Sequence, residues 1–230
     1  EADVNYILDW VVPAGFERVM VWGGSGMYDE ARQNNYPPQF MAEWTGPMIE
    51  TESQWTRIPD AGVELLFWWG RSGQYADRWN DNELDQFSPS SVSQARMMFD
   101  QWRQAVRRGA SGLGLDAFTQ MDGWQALPWI ALLREVRPSA TIVAEPAGFD
   151  LLNLHVPTLL YSEDVEHSPH LLADYLVPGR EMWVYCRGEG ITLEKVEGFV
   201  ANGMTPVLRG RDITAHDLQD AIRRAQGGGH

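Results

Sequence analysis

Seven short runs of apolar and β-branched residues punctuate the chain: RVMVWGG (18–24), VELLFWWG (63–70), GLGLDAF (112–118), TIVAEP (141–146), TLLYSED (158–164), EMWVYC (181–186) and TPVLRG (205–210). They are continuous rather than alternating, the pattern of strands buried on both faces. Helical periodicity fills the intervals. Between Ser90 and Arg108, apolar positions recur at Val92, Ala95, Met98, Phe99 and Trp102 until Gly109 stops the pattern, and a second stretch runs from Gly123 to Val136, ahead of Pro138. SPHLLADYLVPG supplies a third, with Ser168 as N-cap and Pro169 at the first helical position. TLEKVEGFVANG (Thr192 to Gly203) and TAHDLQDAIRRA, capped by Thr214, supply two more, and ADVNYILDW reads as an opening helix. Such alternation predicts a parallel sheet of right-handed βαβ units, either open and doubly wound or closed as a (β/α)8 barrel.

Two features favour the barrel. An opening helix in an alternating series implies a strand before it, which raises the count from seven to eight. GGSGMYDE and the other Gly-rich turns lack the dinucleotide and P-loop spacings, so an open cofactor-binding sheet loses support and no cofactor is expected. The expected fold is therefore α/β, a (β/α)8 TIM-type barrel whose first strand is missing or irregular. It spans 1–226 as a single domain, with 227–230 (GGGH) as a flexible tail. The segments 25–62 and 71–90, rich in Tyr, Trp, Asn, Gly and Pro, read as loops at the C-terminal ends of strands, where barrels build their sites.

Size and charge narrow the partners. The 230 residues, 44% hydrophobic, are enough for one well-filled core. The net charge of -14 argues against nucleic acid and anionic membrane surfaces and leaves neutral or cationic partners. No apolar run approaches the ~18 residues of a membrane-spanning helix. The single cysteine, Cys186, excludes an intramolecular disulfide framework and reads as a small buried core residue. His167 and His170 in HSPH read as a helix-end cluster, and no metal site is expected. No G-x-S-x-G elbow is present, and Cys186 has no evident base, so serine and cysteine nucleophiles are set aside. Because the chain opens on Glu1 with a helix already under way, it is expected to be a processed product or a fragment of a larger protein, with other segments or chains of an assembly as further partners.

Chemistry points to two acids. Asp116 follows the last strand residue of its run, which aims it into the barrel mouth, and Glu145 ends the next run in the same way. On neighbouring strands ~4.8 Å apart, such carboxylates could approach the ~5–5.5 Å separation of retaining glycosidases. One would stay ionised and nucleophilic; the other would hold its proton through burial and its charged neighbour.

At these positions the chain resembles glycoside hydrolases of the α-amylase type and, more loosely, of the α-galactosidase type. GASGLGLDAF is similar to the strand-four segment ending in the nucleophilic aspartate, and IVAEP to the strand-five segment ending in the acid/base glutamate. The resemblance implies Asp116 as nucleophile and Glu145 as acid/base. The chain departs from the α-amylase pattern twice: Gly114 stands where an arginine is usual two residues before the aspartate, and YCRGEG offers Arg187 and Glu189 where a His–Asp pair is expected.

Eleven tryptophans and seven tyrosines suit a hydroxylated ligand, whose C–H faces pack on aromatic rings. Trp22, Trp68, Trp69 and Trp183 fall at or near strand ends, and Tyr28, Tyr75 and Trp79 in long loops. Glu163 and Asp164 follow the fifth run as candidates for sugar hydroxyls or as solvated charges. Arg209 and Arg211 follow the last run, to neutralise mouth carboxylates, hold a substrate oxygen or pair with Asp212 or Asp116. The resulting expectation is a glycoside hydrolase-like domain that binds or cleaves carbohydrate at the barrel mouth, retaining if active. The alternative is a non-catalytic carbohydrate-binding or structural barrel module.

Overall fold

Each of the seven runs forms a strand in a computed structural model of the protein, which describes residues 2–21, 52–69, 74–77, 83–86, 88, 90–115, 123–145, 156–163, 165, 178–179, 181–186 and 191–208. The strands are β1 (Arg18–Val21), β2 (Glu64–Trp69), β3 (Gln74–Asp77), β4 (Glu83–Gln86), β5 (Ala110–Leu115), β6 (Thr141–Ala144), β7 (Thr158–Tyr161), β8 (Met182–Cys186) and β9 (Met204–Leu208). All but β3 and β4 come from the apolar runs. The helices are α1 (Ala2–Tyr6), α2 (Glu52–Trp55), α3 (Arg57–Asp60), α4 (Val92–Arg107), α5 (Gly123–Val136) and α6 (Leu193–Ala201). A π-helical turn over Ile7–Val11, closed by a 2.9 Å bond from the Val12 N–H to the Ile7 carbonyl, continues α1.

The chain divides into two compact units, Glu1–Leu154 and His155–His230. In the first, β1, β2, β5 and β6 lie side by side in that order, all pairings parallel. In the second, β7, β8 and β9 do the same.

Alternation along a strand sends successive side chains to opposite faces, and in the first unit the partners identify each face. Phe67 of β2 meets Trp55 of α2 edge-on, centroids 5.3 Å apart, so Leu65 and Phe67 look toward the helices. Leu66 and Trp68 look the other way, across β5, where a Cβ on Gly112 would lie 3.0 Å from Leu66 Cγ and a Cβ on Gly114 2.7 Å from Trp68 Cζ3. Glycine is required at 114 because the Trp68 ring occupies the space of a side chain. The GLGL pattern thus has a two-sided meaning: Leu113 and Leu115, both fully buried, share the helix-facing parity of Phe67, and the glycines admit bulk from β2.

Helices α4 and α5 cover the outer face. Trp102 and Trp129 are fully buried, and the Trp102 indole donates to the Leu133 carbonyl at 2.9 Å. Each buried indole removes ~150–250 Å² from water, worth about 4–6 kcal/mol before entropic costs. Helix α4 ends as the sequence predicts. Gly109 adopts φ 95°, and a Cβ there would also meet Pro59 of α3.

In the second unit Met182, Val184 and Cys186 of β8 pack with Val196 of α6, Met204 and Val165. Helix α6 starts where expected, with the Thr192 hydroxyl accepting from the Lys195 N–H at 3.3 Å.

Two segments expected as loops contain structure. Within 71–90, β3 and β4 pair as an antiparallel hairpin, Tyr75 opposite Asp85. Within 25–62, α2 and α3 precede β2. The helices expected at SPHLLADYLVPG and TAHDLQDAIRRA lie outside the described residues, apart from the turn at 178–179.

Candidate functional site

The C-terminal ends of β5 and β6 are joined in register. Gly114 pairs with Val143 and Leu115 with Ala144, and the Glu145 N–H donates to the Leu115 carbonyl at 3.0 Å, which extends the parallel ladder one step past β6. Glu145 comes two residues after Val143 and so takes the parity of Val143, Gly114 and Trp68, opposite to the helix-facing Ile142 and Ala144. It is half-buried. Asp116 follows Leu115 in the sequence and lies outside the described residues, as do Trp22, Tyr28, Asp164, Arg209 and Arg211.

Two tryptophans singled out in the sequence are core residues in this structure. Trp68 is 2% exposed, with its ring over Gly114 and beside Met20. Trp183 is 3% exposed and is the second residue of β8; its indole donates to Glu181 Oε2 at 3.0 Å, just before the strand. That is the N-terminal end of β8, whereas barrels build sites at C-terminal ends. Trp69 closes β2 in register with Leu115. Glu163 is exposed in the turn after β7, where its Oε2 accepts from the Ser162 hydroxyl at 3.1 Å.

Sequence reasoning passed over two tyrosines. Tyr161 of β7 and Tyr185 of β8 are register partners with ring centroids 6.1 Å apart, tilted by 58°. Their parity is that of Leu159 and Trp183, opposite to the α6-facing Met182, Val184 and Cys186. The signal that could have found them is positional: Tyr161 closes β7 and Tyr185 is next to last in β8, each two residues beyond a large apolar residue of the same face.

Cys186 is in the core, where burial pushes its thiol up to about 11 from 9.0. Its Sγ lies 3.5 Å from the Val184 carbonyl. At neutral pH it is a protonated packing residue.

No protein-family profile matches the chain, and no curated protein sequence does. Solved structures do match. An α-amylase from Lactobacillus plantarum is 11% identical, with a TM-score of 0.65 over 98% of this chain and 75% of its own. A cyclic α-maltosyl-(1→6)-maltose hydrolase from Arthrobacter globiformis, in complex with maltose, has the same identity and TM-score over 96% of this chain and 72% of its own. Aspergillus fumigatus Ega3, in complex with galactosamine, is 11% identical with a TM-score of 0.50 over 69% of this chain and 79% of its own. PhdJ bound to a substrate intermediate also matches, at 15% identity and a TM-score of 0.58. Likeness at these identities concerns the fold: seven parallel strands and their helices in a divergent, glycoside hydrolase-like arrangement of the (β/α)8 type, with one strand fewer among the described residues.

Proposed function

We propose that this domain binds and cleaves a carbohydrate at the C-terminal ends of its strands, with Asp116 as nucleophile and Glu145 as acid/base. The observation that carries the reading is the position of Glu145: half-buried, on the Trp68–Gly114 face, and hydrogen-bonded through its backbone to the strand that leads into Asp116. Neighbouring parallel strands ~4.8 Å apart suit the ~5–5.5 Å carboxylate separation of a retaining mechanism. In that mechanism Glu145 protonates the leaving oxygen as Asp116 attacks the anomeric carbon and the glycosidic bond breaks. Glu145 then takes a proton from water, whose oxygen releases the sugar from Asp116. The sugars held by structures of this fold, maltose and galactosamine among them, agree with a ligand that is neutral or cationic, the classes that a net charge of -14 favours. Trp22, Tyr28, Glu163, Asp164, Arg209 and Arg211 are assigned to substrate contact, whereas Trp69, at the register position of Leu115, has the helix-facing parity.

A second reading, a barrel that holds carbohydrate without cleaving it, is favoured by one observation. The position where α-amylases carry an arginine is Gly114, and the Trp68 ring excludes any side chain there. The test is turnover of a broad glycoside panel by the parent, Asp116→Asn and Glu145→Gln. The enzyme reading expects each variant to lose ~10²-fold or more while melting near the parent temperature. No turnover by the parent, with both variants melting well below it, would make these acids structural.

A further inference from the structure

Helix α5 is apolar on both sides. Ala126, Trp129, Ile130 and Leu133 are buried, while Trp124 and Leu127 on the other side are 66% and 49% exposed. A helix apolar all round is normally covered all round. Val92, which opens α4, is 81% exposed. The Trp102 indole bonds the Leu133 carbonyl, and ten residues before that bond on each helix stand Val92 and Gly123. Consecutive right-handed crossovers between parallel strands run their helices in one direction, so α4 and α5 begin level and Val92 comes to the height of Trp124. Along α4 the same side continues with Arg96, Arg103 and Arg107, all exposed, four, eleven and fifteen residues after Val92, the spacing of a single helical face. The Arg103 guanidinium lies over the Phe99 ring, 4.5 Å from its centroid, and its Nη1 is 3.7 Å from the exposed Asp100 carboxylate. Over 91–108 and 123–138 arginines outnumber acids six to two, in a chain with 18 basic and 32 acidic residues.

We propose that the solvent side of α4 and α5 docks an acidic amphipathic helix of another protein, whose apolar residues cover Val92, Trp124 and Leu127 and whose carboxylates pair with Arg96, Arg103 and Arg107. The surface is independent of the carbohydrate reading. Charge complementarity selects the occupant: the patch is locally basic and apolar, so a matching segment is acidic and apolar. Screening keeps the match local. At physiological salt a charge acts over ~8 Å, so a short acidic helix feels these arginines, whereas an extended polyanion or an anionic bilayer also meets the acidic remainder of a chain of net charge -14. Exposed tryptophan and arginine are the residue types that most often dominate such interfaces.

Fluorescence anisotropy of the full chain with a labelled amphipathic peptide of Leu and Glu, and with a matched peptide in which Ser replaces Leu, tests this. The expected result is binding of the Leu/Glu peptide that is at least ~10-fold weaker for the Ser/Glu peptide, for Trp124→Ser and for the double variant Arg96→Glu/Arg103→Glu. Arg96→Lys/Arg103→Lys should keep most of it, and all variants should melt near the parent, because the substituted side chains are exposed. Absence of Leu/Glu binding, or binding unchanged in both Trp124→Ser and the charge-reversed variant, overturns the proposal. So does a parent that sediments as a dimer and becomes monomeric in Leu127→Glu, which puts a second copy on this face. Preference for phosphatidylserine vesicles over the peptide, lost in Trp124→Ser, puts a membrane there and overturns it equally.

Discussion

Trp68 and Gly114 behave as one residue divided between two strands: the indole lies where the side chain of residue 114 would otherwise be. Trp68→Ala should therefore cost ~3–5 kcal/mol, the usual loss for emptying a buried tryptophan site. Gly114→Ala should cost ~1–3 kcal/mol by overpacking. The pair should be strongly non-additive, since the second methyl enters the space the first substitution vacates. A double-mutant cycle by urea unfolding reads this, and additive values would show that the ring and the glycine do not share that space. Cys186 gives a pH-dependent counterpart. Its folded-state value of about 11 lies above the unfolded 9.0, so the stability it contributes is complete below pH 9 and is lost as pH rises toward 11, by roughly 2 kcal/mol. Cys186→Val should flatten that part of the stability profile. In the native protein at pH 8 the thiol should resist iodoacetamide that modifies the urea-unfolded chain, and rapid native alkylation would contradict its burial.

Helix α5 shows how packing overrides local preference. Its buried stripe of Ala126, Trp129, Ile130 and Leu133 follows helical spacing, and the helix continues through Pro128, which is exposed and lacks the N–H that would close the first turns. Pro128→Ala should stabilise the protein by about 1–2 kcal/mol, because the restored hydrogen bond outweighs the entropy regained by the unfolded chain. A fall in melting temperature would mean that a proline-dependent bend positions the stripe. Elements with a one-sided or continuous apolar pattern were legible in the sequence: all seven strands, α4 ending at Gly109, α5, and α6 with its Thr192 cap. The β3–β4 hairpin was not, because QYAD and ELDQ carry few β-branched or apolar residues and owe their form to pairing with each other. In the candidate site, Glu145 stood out in the sequence because a polar residue there interrupts an apolar run. That Trp68 and Trp183 are core residues was not legible, because an all-apolar run does not reveal which parity faces helices or how deeply the other is covered. Only partners such as Trp55, Gly114 and Val196 settle that.

At the scale of the molecule, the likeness to α-amylases is one of fold alone, and any chemistry depends on the identity of the residues at the strand ends. The central claim is that Asp116 and Glu145 divide nucleophile and acid/base roles. Covalent trapping tests it most directly: incubation with a panel of activated 2-deoxy-2-fluoroglycosides, which slow release of the glycosyl-enzyme, followed by peptide mass spectrometry. The account predicts one glycosyl adduct, on the peptide containing Asp116, absent in Asp116→Asn. An adduct on another residue, or glycoside turnover by the parent with Asp116 never labelled by any member of the panel, would contradict it.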